Sequence, residues 1–434
     1  MAPARLGGRV ALGHQRIVDS KVTKDTLPFT LSGLETMEKR AMSDDFSDSG
    51  QNGDSYTETT TEGWGSRLGG SLIAALIGLI LIPIAIVLLY WNEGRAVEAI
   101  RALDRGASAI VEVAATPADP KAEGKLVHLT GTMQPGTPAR DPVFGVSADG
   151  LLRLSRKVER FQWEEQSKSE SRENVGGSKT TTTTYSYHKV WLDHPVDSSH
   201  FHVQGNHHNP AMPQQSATFD AGNVVLGAYK VDAPVLGRLT GFKPLPASGD
   251  APSGYRASGD TFYHGDNPTQ PEVGDIRVSF AGVPSGIVSV AAASAGGVLT
   301  AWRDRNGYTI ALAEPGSVAA AAMFKAEKAA ESTLTWILRG VGFVVVLIGF
   351  VCIGRPLSML FAILPFLESI VGAGVFLAAI TLSVPVTLFT IAIAWIVHRP
   401  VTGLLLLVAA GGGLFLLGRI GPRRRPAGFI AGRR

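Results

Sequence analysis

The chain has 434 residues, a formal net charge of +3 and 45% hydrophobic residues, and the apolar residues gather near its two ends rather than being spread as in a soluble fold. The small charge excess is accounted for by a C-terminal arginine cluster, so nucleic acid is not indicated as a partner. The single cysteine, Cys352, lies inside an apolar run, which excludes a disulfide framework and a thiol nucleophile in the polar middle of the chain.

Residues 1–66 are polar, and their tract "MSDDFSDSGQNGDSYTETTTEGWGS" predicts a disordered tail, because such a composition buries too little surface to offset chain entropy. Residues 68–91 carry no charge and are long enough for a first transmembrane helix, since a bilayer core of about 30 Å takes roughly 20 apolar residues. Residues 92–331 change character. Ala96 to Arg105 has helical composition, and "KLVHLTG", "LLRLSRKVERFQWEE", "TTTTYSYHKVWLD", "NVVLGAY", "DIRVSF", "GIVSVAAA" and "GYTIALAE" are short β-branched or alternating runs separated by Gly, Pro, Asn and Asp. The charged stretch "QSKSESRENVGGSKT" between two of these runs predicts a solvated hairpin loop.

From about Val318 a helix leads into a second span at 332–354, apolar except for Arg339. Residues 355–368 are half a span long and contain Pro365, which predicts an interfacial or re-entrant segment. Third and fourth spans follow at 369–397 and 400–418, and 419–434 is a basic tail. The fold class expected is therefore a multi-pass α-helical membrane protein, four spans arranged one plus three, with a large β-rich α+β extracytoplasmic domain. Arg419, Arg423, Arg424 and Arg425 place the last helix end in the cytoplasm, and an even number of spans returns the N-terminus to the same side.

Catalytic motifs are poorly represented. "GVPSG", Gly282 to Gly286, sets its serine one place too late for a nucleophile elbow, and "GGSKT" breaks the spacing of a phosphate loop at Ser178. Asp260, Asp266, Glu272 and Asp275 supply oxygen ligands in principle, but they alternate with Gly, Asn and Pro in the vocabulary of tight turns. His200, His202, His207 and His208 form the densest histidine group, and the His188 to His208 region is the candidate for a metal-binding sensor or metal-dependent enzyme. Against it stand the loop composition and the lack of an H-E-x-x-H type partner motif, which favour Asn209 and Pro210 as turn formers. In the membrane, Arg339 is expected to snorkel outward, while Glu368 is the one attractive group for a transporter. The small-residue runs at Gly372 to Gly374 and Ala409 to Gly413 would let helices approach closely.

The strings "WNEGRAV", "FQWEE", "TYSYHKVW", "DSSHF", "HHNPAMP" and "GDTFYHGDNPTQPEVGDIRVSF", followed by the closing spans, resemble the LUMA family, named for transmembrane protein 43. The resemblance runs from about Gly63 to Gly421 and singles out Trp91, Asn92, Glu93, Gly94, Asn209, Pro210, Asn267, Pro268, Gly274 and Asp275 as motif positions. It implies a multi-pass protein with a large lumenal loop that organises membrane protein complexes, in animals with lamins and emerin, and it supplies neither an enzymatic activity nor a cofactor. The Ala, Gly and Arg bias and the absence of an N-x-[ST] sequon suggest a bacterial relative in the cytoplasmic membrane, where a lamina has no counterpart. A eukaryotic member would lie in the endoplasmic reticulum or inner nuclear membrane. The expectation is a non-enzymatic scaffold without cofactor, in contact with lipids, other membrane proteins and further copies of itself.

Overall fold

The computed structural model describes residues 54–400. Strand β1 (Asp54–Glu62) runs into helix α1 (Trp64–Ala109), followed by β2 (Val111–Glu112), β3 (Leu126–Gln134), β4 (Leu151–Glu173) and β5 (Lys179–Leu192). Short strands come next: β6 (Ala217–Asp220), β7 (Val225–Leu226) and β8 (Tyr229–Val231), then the single turn α2 (Ala233–Leu236) and β9 (Lys243–Leu245). Strands β10 (Tyr255–Ser258), β11 (Thr261–His264), β12 (Ile276–Pro284), β13 (Gly286–Ala295) and β14 (Val298–Thr300) lead to β15 (Trp302–Arg303), β16 (Thr309–Ile310) and β17 (Leu312–Pro315). Two long helices close the described chain, α3 (Ala320–Leu360) and α4 (Pro365–His398).

The β structure forms two main sheets. One has the order β1-β5-β4-β12-β11-β10, with β6 beside β4 and β9 beside β12. In the other, pairings run from β3 to β13, β14, β8, β7 and back to β3, a closed ring of strands with β17 and β2 attached. The ring closes over Val127, Leu129, Met133, Leu226, Val290 and Leu299, every one of them essentially removed from solvent. A second core of Phe144, Leu154, Val158, Phe262 and Phe280 lies under the first sheet, where alternation along β4 sends one side of the strand inward.

Helices α1, α3 and α4 are long and apolar enough to cross a membrane, and they expose Leu72, Leu76, Ile80, Leu377 and Phe389 to their surroundings as lipid-facing helices do. The helices approach closely through glycines. A Cβ on Gly78 would stand 2.4 Å from the Gly349 carbonyl oxygen, and one on Gly342 would stand 2.5 Å from Leu89. Gly372 and Gly374, the expected contact positions, meet nothing within 4 Å among the described residues, and 409–413 lies outside them.

Four expectations need correction or limitation. Residues 54–66 are not a disordered tail: threonines favour the pleated strand, and Thr57, Thr59 and Thr61 face Thr184, Thr182 and Thr180 with hydroxyl oxygens 3.3 Å apart. The loop between β4 and β5 is shorter than predicted, because both strands continue through most of the charged stretch and leave only 174–178 as the tip. Residues 355–368 are not a separate re-entrant piece, since α3 runs on to Leu360 and Pro365 begins α4. Three candidate spans, not four, are found among the described residues; beyond Pro400 the fourth expected span and the basic tail at 419–434 lie outside them, as do residues 1–53.

The one-plus-three topology meets a further obstacle. Strand β1 precedes α1, and β5 belongs to the segment that follows it, yet the two pair along nine residues from Asp54↔Tyr187 to Glu62↔Lys179. Both flanks of α1 thus contribute to one sheet, whereas the positive-inside argument sets them on opposite sides of a membrane.

Candidate functional site

The four candidate metal-binding histidines go to separate partners. His207 is 2% exposed, stacks on Tyr187 at 3.9 Å and meets Trp163 edge-on at 4.7 Å. Its ring nitrogens face the Val203 carbonyl at 3.0 Å and the Asp54 carboxylate at 3.1 Å. His202 stacks on Tyr185 at 4.1 Å and faces Glu58 at 3.4 Å. His200 belongs to a 3-10 turn and pairs only with Asp197 among the described residues, while His208 lines an open groove with Pro195, Ser198 and Gln204. Among the described residues no three His, Cys, Asp or Glu side chains converge into a group that could hold a metal, so the four histidines expected to share one are not brought together, and the ring nitrogens of His207 and His202 face Val203, Asp54 and Glu58 instead.

What gathers at this place instead is a set of loops that hold the outgoing end of β4. Strand β12 stops pairing at Arg160, and the chain then recruits loop groups to continue the ladder. Phe161 exchanges backbone hydrogen bonds with Gly274 and Asp275, at 2.9 Å each. The Asn209 side chain does the same for Trp163, accepting its N–H at 2.8 Å and donating to its carbonyl at 2.9 Å, so an amide side chain stands in for a strand. Arg160 donates to the Pro210 carbonyl at 2.7 Å. Asp275 accepts from the Tyr263 hydroxyl at 2.5 Å and the Glu272 N–H at 2.8 Å, which is structural work rather than calcium ligation. Its carboxylate fills the space where a Cβ on Gly265 would sit, 2.1 Å away. Asn267 accepts from Thr269 N–H at 3.0 Å across a turn with Pro268 at its second position.

At the domain end of the helices the "WNEG" string acquires a chemical reason. Glu93 is 2% exposed and takes Arg339 in a fork, at 2.6 and 2.8 Å, while the Trp395 indole donates to it at 2.7 Å. Arg339 lies 4.6 Å from the Trp336 ring centroid. It is therefore held within the bundle and does not snorkel as expected. Asn92 donates to the Thr335 carbonyl at 3.2 Å, and a Cβ on Gly94 would stand 2.9 Å from His398. Trp91 turns outward, more than half exposed, toward the apolar surroundings of the helices. Beyond this cluster, Arg95 with Glu331 at 2.6 Å and Arg105 with Asp304 at 2.5 Å join α1 to α3 and to the β structure. The Arg105 guanidinium beside Asp304 holds its carboxyl below the usual range.

At the other end, the β4–β5 tip meets the helices. The Trp64 indole donates to the Met359 carbonyl at 3.0 Å, and the Gly176 N–H donates to the Ile363 carbonyl at 3.0 Å. Arg67, with a side chain only 6% exposed, donates to the Gly177 carbonyl at 2.7 Å, pairs with Glu368 at 2.5 Å and stands 3.6 Å from Glu173. Glu368 is thus fixed by an arginine of α1 and does not stand alone as a transport group would. Sequence reasoning missed Arg67 and Glu173 as its companions: Arg67 lies 301 residues from Glu368 along the chain, Glu173 belongs to a distant strand, and no periodicity links the three.

A profile of the family described as Transmembrane protein 43 matches residues 160–400. The chain is 32% identical to the Transmembrane protein 43 homolog of Drosophila melanogaster over 348 residues, which cover 77% of this chain and 91% of the relative. It is 32% identical to Transmembrane protein 43 of Rattus norvegicus, covering 81% and 90%, and of Homo sapiens, covering 79% and 89%. No solved structure matches.

Proposed function

The chain belongs to the Transmembrane protein 43 family and is an integral membrane protein, and from that premise we propose that it is a non-enzymatic scaffold that organises other membrane proteins through its β-rich domain. The observation that supports this reading is the joint at the domain end of the bundle. Buried pairing of Glu93 with Arg339 and Trp395, backed by Arg95 with Glu331, binds α1, α3 and α4 to one another beside the β domain, and Arg105 with Asp304 ties α1 to the β structure. A platform held at a set attitude to the bilayer can present the same surface to each partner. Lipids contact the exposed Leu, Ile and Phe of the three helices, and other membrane proteins or further copies of the chain are the partners. We place it in a bacterial cytoplasmic membrane on the strength of its composition, or in the endoplasmic reticulum or inner nuclear membrane of a eukaryotic cell.

Crosslinking in native membranes tests the proposal. Reproducible neighbours that disappear with an Arg339→Met variant, which loosens the joint, are the expected result. Recovery of the chain only as an isolated monomer would sink the scaffold reading.

A further inference from the structure

Strands β1, β5 and β4 form a ribbon that leaves the β domain at Trp163 and Tyr187 and ends at the helix tips. Its outer part, Glu164 to Glu173 on β4, spans about 33 Å at about 3.3 Å per residue. The apolar stretch of α1 from Leu68 to Trp91 spans about 36 Å at about 1.5 Å per residue. Ribbon and bundle are thus matched in length, rooted at the same end and joined at the other. Yet the ribbon is polar on both faces: Ser169 and Ser171 stand opposite Thr183 and Thr181, Ser167 opposite Tyr185, with charged Lys168, Glu170 and Arg172 between them. Beyond Trp163 the outer edge of β4 has no strand partner among the described residues, and neither has the outer edge of β1. Hydrocarbon against such edges costs several kcal/mol for each backbone group left without a partner. Lipid packing on the ribbon side of the bundle and a seated ribbon tip therefore compete.

At the seat two carboxylates, Glu173 and Glu368, meet one arginine, Arg67. From each element packed there, the charged groups are Glu62 on β1, Arg67 on α1, Glu173 on β4, Lys179 on β5, Arg355 on α3 and Glu368 on α4, around a cavity of about 410 Å³. Arg67 alone is shared by two carboxylates, and Arg355 pairs with neither. The Glu368 side chain is nine-tenths buried, its second oxygen, Oε2, has no hydrogen-bond partner among the described residues, and Glu173 faces the same Arg67 nitrogen as Glu368.

We propose that this seat is a proton-operated latch: a proton carried by Glu173 and donated to Glu368 holds the β4–β5 tip on the helix ends, and its loss lets the ribbon swing away from the bundle. The proton comes from water and lets a Glu173 carboxyl donate to the orphaned Glu368 oxygen, leaving Arg67 to neutralise the remaining charge. Burial, and then the neighbouring Glu368 carboxylate, raise the Glu173 carboxyl above its ordinary range, with Arg67 and Lys179 opposing. On release Glu173 returns to water and to an ordinary carboxyl. The seated form consequently holds the proton more firmly, so acid favours seating, and the equilibrium constant for seating falls by up to about tenfold per pH unit between the ordinary and the raised values. The latch rests on the membrane placement of the helices and not on the scaffold reading, so a protein without neighbours can still have it.

The test uses the full chain in phosphatidylcholine nanodiscs, with spin labels on Val175→Cys and Leu364→Cys in a Cys352→Ser background, and distances measured from about pH 4 to about pH 8, a window that brackets ordinary and raised carboxyls. Val175 at the tip is 83% exposed and Leu364 lies in the turn before α4, so neither label displaces the core. A short-distance population that shrinks as pH rises, and that Glu173→Gln keeps high and level across the range, is the expected result. Hydrogen exchange of the Gly176 amide, normalised to the Gly274 amide at the ribbon root, gives the same readout without labels. A distance distribution that ignores pH in the parent chain overturns the proposal, as does a Glu173→Gln variant with undiminished pH dependence.

Discussion

At the domain end of the bundle, Glu93 places both oxygens on Arg339 and one of them also on the Trp395 indole. At the far end, Arg67 is divided between Glu368 and Glu173, and an oxygen of Glu368 is left over. Both are ion clusters that join helix to helix; the first is closed to water, whereas in the second Glu173 keeps about a third of its side chain exposed. The difference is stoichiometry. One carboxylate matched by one guanidinium fork and an indole is a satisfied network, which rigidifies. Two carboxylates divided over one guanidinium, with one oxygen left over, are a less satisfied network, which suits a joint that opens.

The contrast is most exposed at Glu93. Glu93→Leu or Arg339→Met alone leaves a buried charge without its partner and should cost about 3–5 kcal/mol, read as a lowered unfolding midpoint of the detergent-purified protein. The double variant should recover most of that loss. Equal losses in single and double variants would mean that packing, not charge, makes the joint.

Gly78→Leu comes next. It drives a side chain against the Gly349 backbone and should cost about 1–3 kcal/mol by the same measurement, whereas Gly372→Leu, which meets no neighbour among the described residues, should be near neutral. A neutral Gly78→Leu would mean that the helices are not packed as closely as the glycine contacts require.

Asn209→Ala removes the side-chain ladder under β4 and leaves Trp163 backbone groups unpaired, a cost of about 1–3 kcal/mol. Because the ribbon is rooted there, the expected outcome is faster proteolytic cutting around Phe161 to Gln166 with the helix joint intact. An unchanged cutting pattern would move the ribbon root elsewhere.

The least of these changes is the acid limb at Asp304. Its carboxyl is depressed by Arg105, so its contribution is present above the ordinary carboxylate pKa of about 4 and is lost as pH falls through the lower folded value. The unfolding midpoint should drop with acid below that point, and Asp304→Asn should flatten the drop. The sign is opposite to that of Glu173, where acid strengthens the contact. A parent protein whose seat and whose Asp304 contact weaken together in acid would erase the contrast between the two ends.

The apolar helices and most of the strands were legible in the chain alone, because both follow from periodicities of a few residues: uncharged runs longer than a bilayer core, and alternation between turn residues. Asn267 and Gly274 could likewise be marked as turn chemistry, which needs only local composition, whereas Asn209 and Pro210, expected to shape a turn, lie outside any turn and serve β4 through the Asn209 side chain and the Pro210 carbonyl. Which group meets which was settled by the folded arrangement. Arg339 and Glu93 are 246 residues apart, Asp54 and His207 are 153 apart, and no local pattern distinguishes an arginine that snorkels from one held in a fork. Polar composition around Thr57 to Thr61 reads as disorder until the threonines of β5 supply its partner strand. Histidine spacing reads as a metal site until the fold sends the side chains to separate partners, His207 to Asp54 and His202 to Glu58. In each case the residue type sets what a side chain can do, and the long-range pairing of strands and helices selects which of those capacities is used.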